Sequence, residues 1–203
     1  MKQLFTLSLI VFISGCAGFP FMKTTIAPNG VYKLEQATLF SPDEIGWSLL
    51  QHKIHSVVFA RDYGSNGESA ILNAMMYKVG AFKTSKKFLQ YIVKQRSKQN
   101  DGKRFKVLNN QNKFVNFKGL PCIKYSTLSE DHKNKGIAST DFEYFKTSGY
   151  ICRYPLEYIA FQMEVSYRSK GKNIPKTLIK TSEDFFKDAK LVSATIKRLK
   201  TIK

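Results

Sequence analysis

Three cysteines have the most reactive side chains in this chain of 203 residues, and Cys16 stands in the most distinctive context. A thiolate is a nucleophile, so an accessible cysteine can be alkylated. Met1 and Lys2 form a short positive segment, and residues 4–13 form an apolar run of about ten residues, the composition of a secretory signal. As a helix this run covers about 15 Å, half of the roughly 30 Å hydrocarbon core of a bilayer. The pattern therefore predicts an exported chain and disfavours a resident transmembrane helix.

The residues next to Cys16 resemble a known modification signal. Ile13, Ser14, Gly15 and Cys16 stand in a row that resembles the lipobox of bacterial lipoproteins, with Ile13 where leucine is usual. In that family a diacylglyceryl group alkylates the cysteine, and cleavage then leaves the cysteine as the new N-terminus. The resemblance implies that residues 1–15 are a lipoprotein signal peptide and that Cys16 is the lipidation site. The alternative is a chance cysteine after an ordinary signal peptide.

The same resemblance implies a location for the protein. In the lipoproteins of Gram-negative bacteria, an aspartate after the cysteine favours the inner membrane, whereas Ala17 follows Cys16 here. The implied location is the bacterial outer membrane, with the protein anchored on its periplasmic face. Each buried methylene contributes about 0.8 kcal/mol, so two or three acyl chains hold such a protein permanently.

Cys122 and Cys152 are the remaining cysteines. Because an exported chain lies in an oxidising compartment, we expect them to form one disulfide, with two buried free thiols as the alternative. Closing a loop of about thirty residues contributes about 3 to 4 kcal/mol in the chain-entropy description. Neither cysteine has a histidine or another cysteine at metal-ligand spacing, and C-x-x-C is absent, so no metal site is predicted.

Histidines and carboxylates are the other candidates for chemistry. His52 and His55 form an H-x-x-H pattern, but residues three apart on a strand point to opposite faces, which predicts surface histidines. Glu130 and Asp131 are adjacent in the polar run SEDHKNKG, which also contains His132, and we expect solvated charges in a loop. The sequence lacks G-x-S-x-G, a P-loop and a G-x-G-x-x-G after a strand. No catalytic residue, metal or cofactor is therefore predicted.

The elements that must position these residues are indicated by hydrophobic periodicity. From Ile159 to Tyr167, apolar and polar residues alternate with a period of two, which predicts a half-buried strand. Less regular runs predict further strands over residues 47–52, 54–60, 69–79, 105–117, 121–128 and 140–154. The segment RDYGSNGES, Arg61 to Ser69, has the composition of a hairpin connection. Strands joined by short turns pair antiparallel.

Two segments change to a helical period. Between residues 84 and 100, apolar side chains and lysines fall on different sides of a predicted amphipathic helix. Near the C-terminus, apolar residues recur at spacings of four, three, four and three; they are Phe185, Ala189, Val192, Ile196 and Leu199. Thr181 and Ser182 can cap this second helix, with Glu183 and Asp184 in its first turn, where the helix dipole favours acids.

Together these elements predict an α+β fold: an antiparallel sheet of about six or seven strands with two amphipathic helices packed on it, as in a sandwich. The element order and the ICRYP stretch at Ile151–Pro155, ahead of a strand that ends in SYRSKGK, resemble the PsbP-like fold from Tyr32 to Leu191. That resemblance implies an extrinsic binding or assembly module and carries no named site. We expect a tether over residues 16–30 and a single domain over residues 31–203.

The chain is strongly basic, with 33 Lys and Arg against 15 Asp and Glu and a formal net charge of +18. In an intracellular protein, basic stretches suggest nucleic acid, but an exported, anchored protein meets anionic phospholipid, lipopolysaccharide phosphates or acidic proteins instead. The candidate residues for an anionic surface are Lys83, Lys86, Lys87, Lys94, Arg96, Lys98, Lys103, Arg104 and Lys106. The alternative is that these side chains serve solubility alone.

The combined prediction is a non-catalytic, lipid-anchored binding or scaffold protein of the bacterial envelope, which contacts anionic lipid or acidic proteins and no nucleic acid. Two other classes stay open: an anchored hydrolase with a site assembled from distant residues, and a carrier of an amphipathic ligand. A cleft with a nucleophile and a base in reach indicates the hydrolase, and an enclosed apolar cavity indicates the carrier. A filled core with a flat basic face indicates the binding module.

Overall fold

A long antiparallel sheet and a small second sheet form the framework of the protein. The computed structural model describes residues 24–64, 67–98, 102–133, 137–154 and 158–191. The strands are β1 (Thr24–Thr25), β2 (Val31–Lys33), β3 (Ala37–Phe40), β4 (Ser48–Lys53), β5 (Ser56–Asp62), β6 (Ser69–Lys78), β7 (Phe105–Phe117), β8 (Leu120–Asp131), β9 (Glu143–Arg153), β10 (Ile159–Ser169) and β11 (Lys190–Leu191). The helices are α1 (Ser85–Lys98) and α2 (Lys176–Asp188).

The chain builds the large sheet in two passes. The strand order is β1-β4-β5-β6-β10-β9-β8-β7, and the small sheet has the order β11-β3-β2. After β4, β5 and β6 have paired in sequence, α1 carries the chain to the far edge, where β7 begins. Strands β7 to β10 then return one beside the next until β10 pairs with β6. This path places β10 in the centre of the sheet and β7 at an edge.

Each face of the large sheet carries its own apolar core, because successive residues of a strand point to opposite faces. On the face covered by α1, here called the α1 face, Phe88, Leu89 and Ile92 of the helix pack against a cluster that includes Ile123 and Ile151. The opposite face, here called the α2 face, carries the larger core, which α2 and the small sheet cover. Members of that core include Leu39, Phe59, Phe161, Leu178 and Phe185.

The α+β prediction is confirmed, and so are the seven predicted strands. The predicted runs correspond to β4 through β10, and the loop predicted between Arg61 and Ser69 joins β5 to β6. The predicted number of six or seven strands is too low, because the structure adds β1, β2, β3 and β11. Each of these added strands has two to four residues, which is too short to display a period of two.

The first helix is confirmed, whereas the prediction for the second helix is wrong in position. Helix α2 begins at Lys176, directly after Pro175, so Thr181 and Ser182 lie inside the helix and do not cap it. The Thr181 hydroxyl donates instead to the Thr177 carbonyl, 3.0 Å away. For the same reason, the acids that follow Ser182 lie in the later part of the helix and not in its first turn.

The buried stripe of α2 explains this difference. Leu178, Thr181 and Phe185 follow one another at spacings of three and four and face the core. Because a threonine stands in the middle, the stripe does not register as an apolar period in the sequence. The helix ends before Ala189, and the predicted continuation at Val192, Ile196 and Leu199 lies outside the described residues.

The folded part of the chain begins earlier than the expected boundary at residue 31. Thr24 and Thr25 pair with β4, and Ile26 is buried in the α2-face core, so this end of the expected tether belongs to the domain. Cys16 and the expected signal peptide lie outside the described residues. Of the two helices in the described ranges, neither has the length and hydropathy that crossing a bilayer requires.

Candidate functional site

The outward side of α1 is a surface of lysines. Lys86, Lys87, Lys94 and Lys98 lie within about 120° of the helix circumference, at about 100° per residue, and Lys83 precedes the helix. All five side chains are exposed. Within the described ranges, none of the five forms an ion pair. These five residues are called the α1 lysine face below.

Two features of the α1 lysine face oppose the stability of the helix. The first turn of α1 contains Lys86 and Lys87 and no acid, although the helix dipole favours negative charge there. Lys94 and Lys98 are four residues apart, where like charges on a helix repel each other. Each effect costs a few tenths of a kcal/mol. A bound anion would offset both, which makes this face a candidate binding site.

The structure places the other four residues of the expected basic set elsewhere. The Arg96 guanidinium lies 3.4 Å from the centroid of the Tyr125 ring, between the helix and the sheet. Arg104 and Lys106 form ion pairs with acids of β8. Lys103 is exposed in the turn before β7. The nine residues therefore do not form one continuous surface.

A buried ion-pair cluster lies at the C-terminal end of β8. The Asp131 side chain is fully buried and accepts hydrogen bonds from Arg104 Nε and Nη2 at 2.8 and 2.9 Å. Arg168 Nη2, at the end of β10, lies 2.7 Å from the same carboxylate. The prediction that Glu130 and Asp131 are solvated loop charges is wrong, because both belong to β8 and are buried. Arginines from distant parts of the chain make this burial tolerable.

The arginines also set the charge state of Asp131. Burial by itself raises the pKa of this carboxyl, but hydrogen bonds from Arg104 and from the Lys133 backbone N–H, together with the charge of Arg168, outweigh burial. The pKa of Asp131 therefore lies below 3.8. A carboxylate held in this way is a structural anion and is poorly suited to general acid–base catalysis.

His132 continues the cluster and is buried, not in a solvated loop as expected. The residue is 2% exposed, and its Nε2 lies 3.3 Å from Glu130 Oε2. Glu143 of β9 joins the cluster through Lys133 Nζ at 3.0 Å. In the described ranges, no three His, Cys, Asp or Glu side chains are arranged to hold a metal ion. The cluster ties together the ends of β7, β8, β9 and β10.

A second polar network lies between α1 and the sheet. Tyr125 Oη donates to Glu164 Oε2 over 2.6 Å and accepts from Gln162 Nε2 at 3.2 Å. Tyr125 of β8 reaches Glu164 of β10 across Gly149, the intervening residue of β9. A Cβ at position 149 would overlap the Met163 carbonyl and lie 3.0 Å from Tyr125 Oη, so glycine is required there.

Burial has the largest effect on the pKa values of the titratable groups in this network. It raises the pKa of Glu164 above 4.5, although the hydrogen bond from Tyr125 and the charge of Arg96 act in the opposite direction. Burial also raises the pKa of Tyr125 well above 10. The Tyr125 hydroxyl therefore stays protonated and donates a hydrogen bond to Glu164 Oε2. The network orients α1 on the sheet through the ring on which Arg96 stacks.

A cleft lies on the opposite face of the sheet, between α2 and strands β7, β8 and β9. Its volume is about 370 Å³, and it is lined by Phe117, Lys124, Ser148, Gly149, Tyr150, Ile179, Ser182, Glu183, Phe186 and Lys187. The Phe117 and Tyr150 rings stack with centroids 4.1 Å apart, and Phe186 meets Tyr150 edge-on at 5.2 Å. This feature is called the α2 cleft below.

The predictions for the Cys122–Cys152 pair and for His52 and His55 agree with the structure. Cys122 and Cys152 form a disulfide and stand directly opposite each other on β8 and β9. His52 and His55 are both exposed. His52 Nε2 lies 3.2 Å from the carbonyl of Lys33, and His55 lies apart from it beyond the end of β4.

Sequence reasoning missed the α2 cleft. Lys113, Val115 and Phe117 occupy alternate positions of β7, so the period of two does place them on one face. The cleft also needs Tyr150 from β9 and Phe186 from α2. Strand register and the position of α2 bring these residues together, and neither is readable from local periodicity.

Comparisons with known proteins find distant similarity in structure and none in sequence. No protein-family model matches this chain, and no curated protein matches it in sequence. Similar solved structures include the Ran-binding protein Mog1p of Saccharomyces cerevisiae, with 12% identity, a TM-score of 0.46 and coverage of 84% of this chain and 98% of that one. A cyanobacterial PsbP from Synechocystis has 12% identity, a TM-score of 0.42 and coverage of 88% and 98%.

A protein from Bacteroides thetaiotaomicron is also similar, with 12% identity, a TM-score of 0.45 and coverage of 83% of this chain. This chain spans 50% of the length of that protein.

Proposed function

We propose that this chain is a lipoprotein of the bacterial cell envelope, anchored through acylated Cys16 on the periplasmic face of the outer membrane, with a domain that binds and does not catalyse. The row from Ile13 to Cys16 supports the anchor, because it resembles a lipobox after a run too short to span a bilayer. The α1 lysine face supports the binding role. Its partner in this proposal is a surface of anionic lipid headgroups.

The observation that carries the binding role is a surface of five exposed lysines, four on α1 and one just before it, none of which pairs with an acid in the described part of the chain. The first-turn lysines oppose the helix dipole, so the face is less favourable for the isolated fold than a mixed surface. Phosphate headgroups bound at this face would offset the unfavourable interaction between the first-turn lysines and the helix dipole. A lysine near an anionic membrane contributes about 1 kcal/mol, which at low salt gives up to about 5 kcal/mol for five.

The anchor and the α1 lysine face are within reach of one membrane. Seven residues lie between Cys16 and Thr24, so the eight Cα–Cα steps of an extended tether span at most about 28 Å. Strand β1 lies at one edge of the large sheet, and β9 and β8, on which α1 packs, are five and six strands away, about 24 to 29 Å at normal strand spacing. A tether of comparable length would let the lipid and the lysine face engage the same bilayer.

Vesicle co-sedimentation tests the binding role. The chain from residue 17 contains both sheets and both helices, so it retains the complete fold without the lipid. We expect this chain to sediment with vesicles that contain phosphatidylglycerol, to stay in solution with phosphatidylcholine alone, and to lose binding as salt is raised, because screening acts over about 8 Å.

Matched variants separate this site from general positive charge. Changing the five lysines of the α1 lysine face to glutamine is expected to weaken binding at least about tenfold. The control changes five exposed lysines outside α1 to glutamine, namely Lys33, Lys53, Lys78, Lys176 and Lys180. Equal loss in both variants, or equal sedimentation with neutral vesicles, would contradict the proposed site.

A further inference from the structure

We infer that the α2 cleft is a binding site for a small anion with a flat apolar ring system. Its volume of about 370 Å³ lies toward the lower end of the range for ligand pockets, about 300 to 1,000 Å³. A molecule of that size is much smaller than a folded partner. The α2 cleft lies on the face of the sheet opposite the α1 lysine face, so ligand binding there does not depend on the membrane proposal.

The apolar half of the α2 cleft is built from aromatic rings. Phe117 and Tyr150 lie nearly parallel, at 17°, and Phe186 stands almost perpendicular to Tyr150 at 78°. The Phe117–Tyr150 stack therefore forms one side of the cleft, and the perpendicular Phe186 ring forms another. Ile179, on the rim, is 44% exposed, although burial of such a side chain is favourable by about 1.5 to 3 kcal/mol. A flat ring that enters the cleft would pack against these aromatic side chains and cover Ile179.

The charged half of the α2 cleft is basic. Lys124 Nζ lies 5.7 Å from the centroid of the Tyr150 ring, and Lys187 of α2 also lines the cleft, whereas Glu183 is the sole acid among the lining residues. Lys113 stands directly opposite Lys124 in the register of β7 and β8. Like charges in this position destabilise a sheet, and neither lysine has an acidic partner within the described part of the chain. An anion at the mouth of the cleft would remove this repulsion.

Rings and lysines in one cleft define the ligand class. The rings select an apolar planar body, and the lysines select a phosphate or carboxylate attached to it. Neither half of such a ligand alone satisfies both parts of the cleft. The two halves together are expected to bind more tightly than either one.

Calorimetric titration of the chain from residue 17 with three probes tests this class. The probes are 1-naphthyl phosphate, which carries both halves, inorganic phosphate, which carries the charge alone, and 1-naphthol, which carries the ring alone. We expect 1-naphthyl phosphate to bind at least about tenfold more tightly than either half, since a charge-assisted hydrogen bond contributes about that factor. Equal affinity for 1-naphthyl phosphate and either half would overturn the inference.

Two charge reversals of the same size locate the site. Lys124→Glu, in the α2 cleft, is expected to weaken binding of 1-naphthyl phosphate at least about tenfold and to leave binding to anionic vesicles close to wild type. Lys94→Glu, on the α1 lysine face, is expected to show the reverse pattern. Loss of probe binding in both variants, or in Lys94→Glu alone, would overturn the assignment to the α2 cleft, whatever the vesicle result.

A measurement on the unmodified chain completes the test. In amide NMR spectra, addition of 1-naphthyl phosphate is expected to shift the resonances of Lys124, Tyr150 and Phe186 and to leave those of Lys86 and Lys94 unchanged. Shifts confined to residues outside the α2 cleft would overturn the inference even if affinity were high.

Discussion

Replacing Asp131 by asparagine tests whether the buried ion-pair cluster holds the end of the sheet. The wild-type carboxylate is fully buried and neutralises Arg104 and Arg168, whose side chains are 21% and 18% exposed. Asp131→Asn preserves the shape of the side chain and removes its charge. The guanidinium groups of Arg104 and Arg168 then face a neutral amide, and Arg168 keeps Glu143 at 3.7 Å.

The expected loss follows from the burial of these groups. Removing one partner of a buried ion pair costs about 3 to 5 kcal/mol, because the other charge stays buried without compensation. For a domain of this size each kcal/mol lowers the Tm by about 2 to 4 °C, so the expected decrease is about 6 to 20 °C. Because the pKa of Asp131 is lowered, the wild-type advantage is fully present above the unfolded pKa of about 3.9 and is lost as the pH falls through the folded pKa.

Urea denaturation at neutral pH measures the loss, and Asp141→Asn is the matched control. Asp141 pairs with Lys170 at 2.8 Å, but both side chains are more than half exposed, so this variant is expected to lose at most about 1 kcal/mol. A loss below about 1 kcal/mol for Asp131→Asn, or equal losses for the two variants, would show that the cluster does not stabilise the fold.

Three further predictions concern the sheet and its networks. Gly149→Ala is expected to destabilise the domain by about 1 to 3 kcal/mol or more through overlap with the backbone of β10, whereas Gly80→Ala, with open space around it, should change stability by less than about 0.5 kcal/mol in thermal unfolding. The pKa of Glu164 is raised in the folded state, so the folded protein binds a proton at this carboxyl more tightly than the unfolded chain does. The stability of wild type relative to Glu164→Gln should therefore fall as the pH rises above about 4.5. A pH-independent difference between pH 4 and 7 would contradict this sign. The Cys122→Ser and Cys152→Ser double variant is expected to lose about 3 to 4 kcal/mol, given the separation of 30 residues, and unchanged stability under non-reducing conditions would argue against the entropic reasoning.

Long strands such as β6 could be predicted because burial differs between their two sides. In β10, one set of alternate residues enters the α2-face core, and the other set includes Gln162 and Glu164 of the polar network. That contrast is visible as alternation from Ile159 to Tyr167. The disulfide was also predictable, because the export expected from the N-terminal sequence would leave Cys122 and Cys152 as a pair in an oxidising compartment.

The errors fall where tertiary contacts override local composition. The run that contains Asp131 and His132 is polar and was expected to be a loop, yet it is buried because Arg104 and Arg168 arrive from other strands. The prediction placed the start of the second helix too far along the chain, because Thr181 occupies a core-facing position inside α2. Neither effect is encoded within a window of ten residues, so periodicity alone could not reveal it.

Metabolic labelling with radioactive palmitate tests the anchor most directly, because acylation of Cys16 is what would bring the α1 lysine face to a lipid surface. We predict that the wild-type chain incorporates label and fractionates with the outer membrane, whereas Cys16→Ser incorporates none. Equal labelling of the two chains, or absence of label from both, would contradict the proposed lipoprotein.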